Sequence, residues 1–409
     1  MTAGSYEAVV RNPSFRKLWI GQAVSQFGDG FYWLSIMLSV SALTHQDVRS
    51  IGFVSMAFLL PQLPIGVFGS PLVDRVNRRQ LMIVADVLRI FTTLLCVLAY
   101  SLGSPLPFYL IALLQSSVTG FFVPAKNALI TQIVEREDLL AANTLSQTTQ
   151  VAALIFGPAL AGFVIEHLGI SVAFLIDAIT FLFSALFVWW IAPVPTPDAA
   201  RRPWYHAWVD LREGLVFIRR TPVVRNVIWV VSVLFLGLGA INVLWVPYMQ
   251  RVFHVGAQEI GLVDAAQGLG MLIGTLLMGH VALRSRPPHV LLLGGLLMIS
   301  LGFIGTGLAP SYAFIVIITG LLGTAIPAAQ ASFMTLIQQV TPQRLMGRVN
   351  GSIGAITNGA MFISMALATS LAERVGLRQS YVLSGVLGLL AVALGARVLQ
   401  APVSPERGE

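Results

Sequence analysis

Runs of about twenty apolar residues recur every 25–35 residues along this chain, separated by short charged or Pro- and Gly-containing turns. A bilayer-crossing helix needs ~20 apolar residues, so each run is long enough to span. Twelve are read, over about 16–43, 50–73, 80–102, 107–130, 144–166, 170–191, 225–249, 260–283, 290–309, 312–337, 351–371 and 380–399. Only 11% of the 409 residues are charged, whereas soluble chains carry about 25%. The expected fold class is therefore an all-α polytopic membrane protein with twelve transmembrane helices. The formal charge of +7 lies in short loops between apolar runs, which argues against nucleic acid as a partner. Cys96 is the single cysteine, so an intramolecular disulfide is excluded. Residues 1–15 lack the apolar core of a signal peptide, and the first span is expected to act as its own targeting signal.

The basic residues fix the expected orientation. With both termini cytoplasmic, the inner segments hold twenty Lys and Arg, counting Lys126, near the inner end of the fourth span, with Arg136. The outer loops hold four: Arg49, Arg251, Arg374 and Arg378. Positive charge is retained on the cytoplasmic side, so this bias predicts both ends inside.

The sharpest turn is Gly69-Ser-Pro-Leu-Val-Asp74-Arg75-Val-Asn77-Arg78-Arg79, between the second and third spans. Asp74 offsets part of its charge, and Asn77 is expected to supply a left-handed residue. Asp-Arg-x-(Gly/Asn)-Arg-Arg at this place resembles the loop motif of the major facilitator superfamily, with Ser70 and Asn77 where that pattern has glycines. The resemblance covers nearly the whole chain. It is closest to the drug, macrolide and siderophore exporter branch in Phe15-Arg16-Lys17-Leu18-Trp19, Phe27-Gly28-Asp29, Pro124-Ala125, Gly157-Pro158-Ala159-Leu160-Ala161-Gly162 and Ile176-Asp177. The glycines that usually precede the Gly-Pro stretch of exporters are absent, as is the Arg that many proton antiporters carry in the fourth span. The resemblance implies two pseudo-symmetric six-helix bundles. It also implies that Gly69, Asp74, Arg75, Arg78 and Arg79 form a conformational switch rather than a substrate contact.

The sequence repeats in a way that supports this. Pro124-Ala125-x-x-Ala128 recurs as Pro327-Ala328-x-x-Ala331, an offset of 203 residues. Half the chain length is the period of two related bundles. Between them, Pro193, Pro195 and Pro197 end one helix, and 204–220 places Trp204, Trp208, Leu211, Leu215 and Ile218 at helical spacing among arginines. That pattern reads as a basic amphipathic helix on the inner leaflet or as a plain linker. The expected domains are 1–192, a linker over 193–223, and 224–409.

Ionisable side chains inside a bilayer cost ~2.5–3.5 kcal/mol each on insertion scales, which makes each a functional candidate. Asp29, Arg89, Asp177 and Asp264 are the proton-coupling candidates. Asp29 stands near mid-span between Gly28 and Gly30, as a proton carrier or as a structural acid bonded to a neighbouring helix. Arg89 pairs locally with Asp86, three residues earlier on one helical face, or reaches across to Asp29. Asp177 and Asp264 are outer gates or structural bonds. Asn143, Gln147 and Gln150 share a face at i, i+4 and i+7. With Asn127 they line an inner cavity or bond between helices.

Gly268-Leu-Gly270-Met-Leu-Ile-Gly274 lies within an apolar run and reads as a close-packed helix face, not a dinucleotide loop. The six histidines have no metal-ligand spacing, and no P-loop, nucleophile–base pair, cofactor motif or metal site is found. The chain is thus expected to be no enzyme. The reading is a monomeric secondary transporter of a prokaryotic plasma (inner) membrane, in contact with membrane lipids. It exports a lipophilic, drug- or macrolide-like small molecule (multidrug efflux) in exchange for protons by alternating access. A lysophospholipid or lipid flippase, or a siderophore exporter, of the same fold is the alternative.

Overall fold

The computed structural model describes residues 3–73, 75–193, 206–282 and 287–398. In chain order its helices are α1 (Ala3–Arg11), α2 (Pro13–Leu43), α3 (Val48–Leu59), α4 (Gln62–Val73), α5 (Arg78–Ser101), α6 (Leu106–Ile133), α7 (Leu139–Leu168) and α8 (Ile170–Trp189). Then come α9 (His206–Arg220), α10 (Pro222–Val252), α11 (Ala257–Ala282), α12 (Pro288–Gly307), α13 (Tyr312–Val340), α14 (Met346–Val375) and α15 (Leu377–Val398). Among the described residues there is no strand.

Among the described residues, eleven segments are long and apolar enough to cross a membrane. The twelfth span is α2, whose Arg16, Lys17, Gln22, Gln26 and Asp29 lower its apolarity. Its 31 residues extend roughly 46 Å at the helical rise, beyond the ~30 Å hydrocarbon thickness.

Local chemistry sets the helix ends. Asn12 caps α2, its Oδ1 accepting from the backbone N–H groups of Ser14 (3.0 Å) and Phe15 (3.1 Å), with Pro13 at the first helical position. The second span is two helices, α3 and α4, because Pro61 offers no N–H to continue the ladder. At that break the Phe58 carbonyl accepts from Ser116 Oγ, and Gln62 Nε2 donates to the Ser116 carbonyl at 2.9 Å. Gly169 and Gly376 both have φ of 92°, where only glycine is unstrained. Each turns the chain directly from one helix into the next, α7 to α8 and α14 to α15. This pair is a second sign of the internal repeat.

Two sequence expectations need correction, and one is sharpened. Asn77 has φ −66° and caps α5 by accepting from Gln80 N at 3.1 Å, so it is not left-handed. Lys126, counted with the cytoplasmic charges, lies inside α6, which runs on to Ile133. Gly, Ser and Met at 346–352 do not delay the eleventh span, and α14 already begins at Met346.

The chain divides into two compact units, Met1–Ala207 with Trp245–Gly268, and Trp208–Leu244 with Leu269–Glu409. In the first, α8 packs against α2 and α5, and α6 against α3, α4 and α5. Segment 245–268 clusters here because Gly162 of α7 and Gly261 of α11 let these helices approach to backbone contact. In the second unit, α12 packs between α13 and α15 around Leu292, Leu296, Phe303 and Leu322.

Candidate functional site

Among the described residues, every buried charged side chain lies in the first unit: Asp86, Arg89 and Asp177. Among the described residues of the second unit, the buried polar side chains apart from Tyr381 are Ser and Thr. Helical spacing concentrates the charges. On α5, Asp86, Arg89, Thr93 and Cys96 follow at i, i+3, i+7 and i+10. On α8, Asp177, Thr180 and Ser184 follow at i, i+3 and i+7, and on α6 Gln115, Thr119, Phe122 and Lys126 follow at i, i+4, i+7 and i+11.

These stripes meet. Ser184 Oγ donates to Asp86 Oδ2 at 2.7 Å, and Gln22 Nε2 of α2 donates to Ser184 Oγ at 3.1 Å. Arg89 Nη1 lies 3.8 Å from Asp86 Oδ1. That is close enough for charge compensation but too long for a good hydrogen bond. Arg89 Nη2 donates to Thr119 Oγ1 at 2.9 Å. Its guanidinium lies over the rings of Phe122 (4.4 Å to the centroid) and Phe181 (5.1 Å). A desolvated guanidinium gains from such faces. Asp177 is held differently, by Thr93 Oγ1 donating to its Oδ2 at 3.2 Å and Thr180 Oγ1 to its backbone carbonyl at 2.8 Å. Among the described residues no cation is within ion-pair distance of it.

Asp29 contrasts with both. Its neighbours Gly28 and Gly30 are pressed against α8 and α7, at Asp177 and Gly157 respectively. The Asp29 side chain is exposed, although it stands sixteen residues beyond the start of a 31-residue helix. Arg89 and Lys126 are the cations that act on it electrostatically. Lys126 was missed as a site residue because it stands near the end of an apolar run and counts there as an inner-surface charge. Asp264 of α11 is half-buried and interacts with the Trp245 side chain, whose indole N–H makes no hydrogen bond of normal geometry. It does not join the cluster on α5 and α8. Asn127, Asn143, Gln147 and Gln150 are all exposed.

In the switch motif, Asp74 lies outside the described residues. Gly69 is buried, and a Cβ there would come within 2.9 Å of Ile65 Cγ2. Arg75 and Arg78 stand on either side of the capping Asn77, and Arg78 opens α5. Arg79 donates from Nε to the Val188 carbonyl at 3.2 Å and from Nη2 to the Trp189 carbonyl. Lys17 Nζ donates to the Trp190 carbonyl at 2.6 Å. Two cations thus satisfy the last carbonyls of α8 and meet the negative end of its dipole. No metal-binding group of three or more His, Cys, Asp or Glu occurs among the described residues.

Comparison with known proteins agrees with this architecture. The chain is 26% identical to macrolide efflux protein A of Streptococcus pyogenes over 387 residues, covering 93% of this chain and 94% of that one. It is 26% identical to the enterobactin exporter EntS of Shigella boydii over 409 aligned positions, covering 96% and 94%. A bacterial homologue of the iron transporter ferroportin, solved in an inward-facing state, shares the fold with a TM-score of 0.78 at 15% identity, covering 94% of this chain and 98% of that one. The sequence model of the Major Facilitator Superfamily matches residues 18–247 and 227–409, nearly the whole length, and this membrane transporter belongs to that family.

Proposed function

We propose that the protein is a proton-coupled exporter of lipophilic small molecules, working by alternating access. In this reading both termini are cytoplasmic, and 1–192 and 224–409 are the moving bundles. The observation that carries it is the exposed Asp29 carboxylate deep in α2, acted on by Arg89 and Lys126. The buried acids Asp86 and Asp177 are engaged by Ser184, Thr93 and Thr180. Of these acids Asp29 has the exposed side chain, and in this reading it is the one that exchanges a proton with water. Protonation removes its attraction for the two cations, and so changes the relative energy of two conformations by differential interaction. Export of macrolide-like compounds is supported by the similarity to macrolide efflux protein A.

A second reading, a siderophore exporter, is favoured by the equal similarity to the enterobactin exporter EntS. Lys126, a half-buried cation that acts on the exposed Asp29, would also suit an anionic cargo.

The test is transport in proteoliposomes with an imposed pH gradient and an internal pH-sensitive dye. Macrolides, lipophilic cations and catecholate siderophores are added singly. Wild type should move protons when its substrate is added. Asp29→Asn should lose proton-driven transport while still binding substrate. Unchanged pH dependence in that variant would refute the role of Asp29.

A further inference from the structure

We infer that the outward face of α9 is a docking surface for anionic phospholipid headgroups, and that its hold on α14 ties the second unit to that lipid surface. Helix α9 (His206–Arg220) has one side fixed to protein. Ile218 is buried in the hydrophobic core of the second unit. A Cβ at Gly214 would come within 2.9 Å of the Arg348 carbonyl carbon, so the two backbones touch. Ser352 Oγ donates to the Leu211 carbonyl at 3.2 Å. Arg348 of α14 clamps the helix by pairing with Asp210 through Nε at 2.7 Å and with Glu213 through Nη1.

The opposite side carries a different set. Trp208, Val209, Leu215 and Val216 are 57%, 44%, 40% and 41% exposed. Arg212, Arg219 and Arg220 are exposed among them. At 100° per residue these seven positions fall on one face of the helix, and Gly214, Ile218 and Leu211 fall on the other. Large apolar side chains interleaved with arginines suit the headgroup zone. There the aromatic and aliphatic groups enter the acyl boundary, and the guanidiniums meet phosphate.

Position supports the same partner. One residue, Thr221, separates α9 from the start of the α10 span at Pro222. Arg348 and Ser352 lie in the opening turns of α14, another span. The helix therefore lies level with the ends of two membrane spans. Charge selects the lipid, because each basic residue at an anionic surface strengthens binding about fivefold.

The test uses the whole protein in vesicles of phosphatidylcholine with and without phosphatidylglycerol. Cys96 is fully buried, so a fluorophore on Val216→Cys reports on α9. The expected result is strong quenching by a nitroxide lipid and weak quenching by aqueous iodide. Lipid quenching should rise severalfold when phosphatidylglycerol is present. Adding Arg212→Gln, Arg219→Gln and Arg220→Gln should remove that rise. Iodide quenching in both vesicles would overturn the inference. Shielding from both quenchers would overturn it too, since a protein then covers the face. Equal lipid quenching with and without phosphatidylglycerol would overturn the selection of anionic lipid.

Discussion

A methyl group placed on Gly28 of α2 would come within 2.6 Å of Asp177 Oδ1 on α8. The two helices are in contact because position 28 has no side chain, and this contact sets where Asp29 faces. Gly28→Ala must displace Asp177 and Thr180 or separate the helices, costing about 1–3 kcal/mol as overpacked cores do. Gly66→Ala is the matched control, since no atom lies within 4 Å of a Cβ there. It should stabilise α4 by about 0.5–1 kcal/mol, the usual excess of Ala over Gly in a helix interior. Thermal unfolding in detergent measures both, and a Gly28→Ala variant as stable as wild type would show that α2 and α8 do not pack this way.

Arg89 and Asp86 form a compensated pair with little exposure, 3% and 0% of their side chains. Arg89→Ala leaves the Asp86 charge buried with only Ser184 to answer it. Breaking one side of a buried pair costs about 3–5 kcal/mol. The double variant Asp86→Asn, Arg89→Gln should recover part of the loss, so a double-mutant cycle should give more than about 1 kcal/mol of coupling. Arg89→Lys should not substitute fully, because an ammonium lacks the planar face that lies over Phe122 and Phe181. Zero coupling in the cycle would mean that the two charges are answered separately.

The twelve spans were legible because a bilayer demands long apolar runs, which composition alone exposes. The repeat was legible in Pro124 and Pro327, since both prolines sit inside long helices, α6 and α13. Asp86 and Arg89 could be paired from their spacing on one helix. Thr93 and Asp177 could not, being 84 residues apart on different helices. No periodicity within one helix encodes such a contact. Lys126 shows a subtler loss: a cation near the end of an apolar run reads as a charge of the inner surface, yet two more turns of α6 follow it. The linker helix was read from its amphipathic pattern, but its clamp by Arg348 joins residues 135 apart in the chain.

Asp47 offers a pH-dependent prediction outside the spans. Its Oδ2 accepts from Ser50 N at 2.9 Å and from Ser50 Oγ at 2.7 Å, capping α3. Burial pushes its carboxyl up, but the Ser50 hydroxyl, the backbone N–H groups of Ser50 and Arg49, and the Arg49 charge hold it below the usual carboxylate range. A depressed folded value means stability that is present above the unfolded value of about 3.9. It is lost as pH falls through the lower, folded one. Asp47→Ala should therefore cost about 1 kcal/mol at neutral pH, with the difference from wild type shrinking in acid. Asp47→Asn should keep most of the cap and flatten the pH dependence. Thermal unfolding across the acid range measures this, and an acid-independent difference between Asp47→Ala and wild type would contradict it.

The start of α11 depends on a carboxylate from another helix. A helix N-terminus leaves four N–H groups without internal partners, and a capping side chain usually answers one. Gly256, just before α11, has no side chain to do so. Glu259 Oε2 accepts from Gly256 N at 3.0 Å, which is half of a reciprocal capping box. Glu166 of α7 supplies the missing half, its Oε2 accepting from Ala257 N at 3.0 Å. Its negative charge also meets the positive end of the α11 dipole. Gly256 is required as well, because a Cβ there would lie 2.6 Å from Glu166 Oε2. Glu166→Ala should cost about 1 kcal/mol, the usual loss of an N-cap. Glu166→Gln should cost less, since the amide oxygen still accepts the bond and only the charge is lost. Hydrogen exchange at 257–260 should rise in that same order, while exchange in α5 and α8 stays at the wild-type rate. Faster exchange throughout the first unit would show instead that Glu166 supports the whole packing of α7.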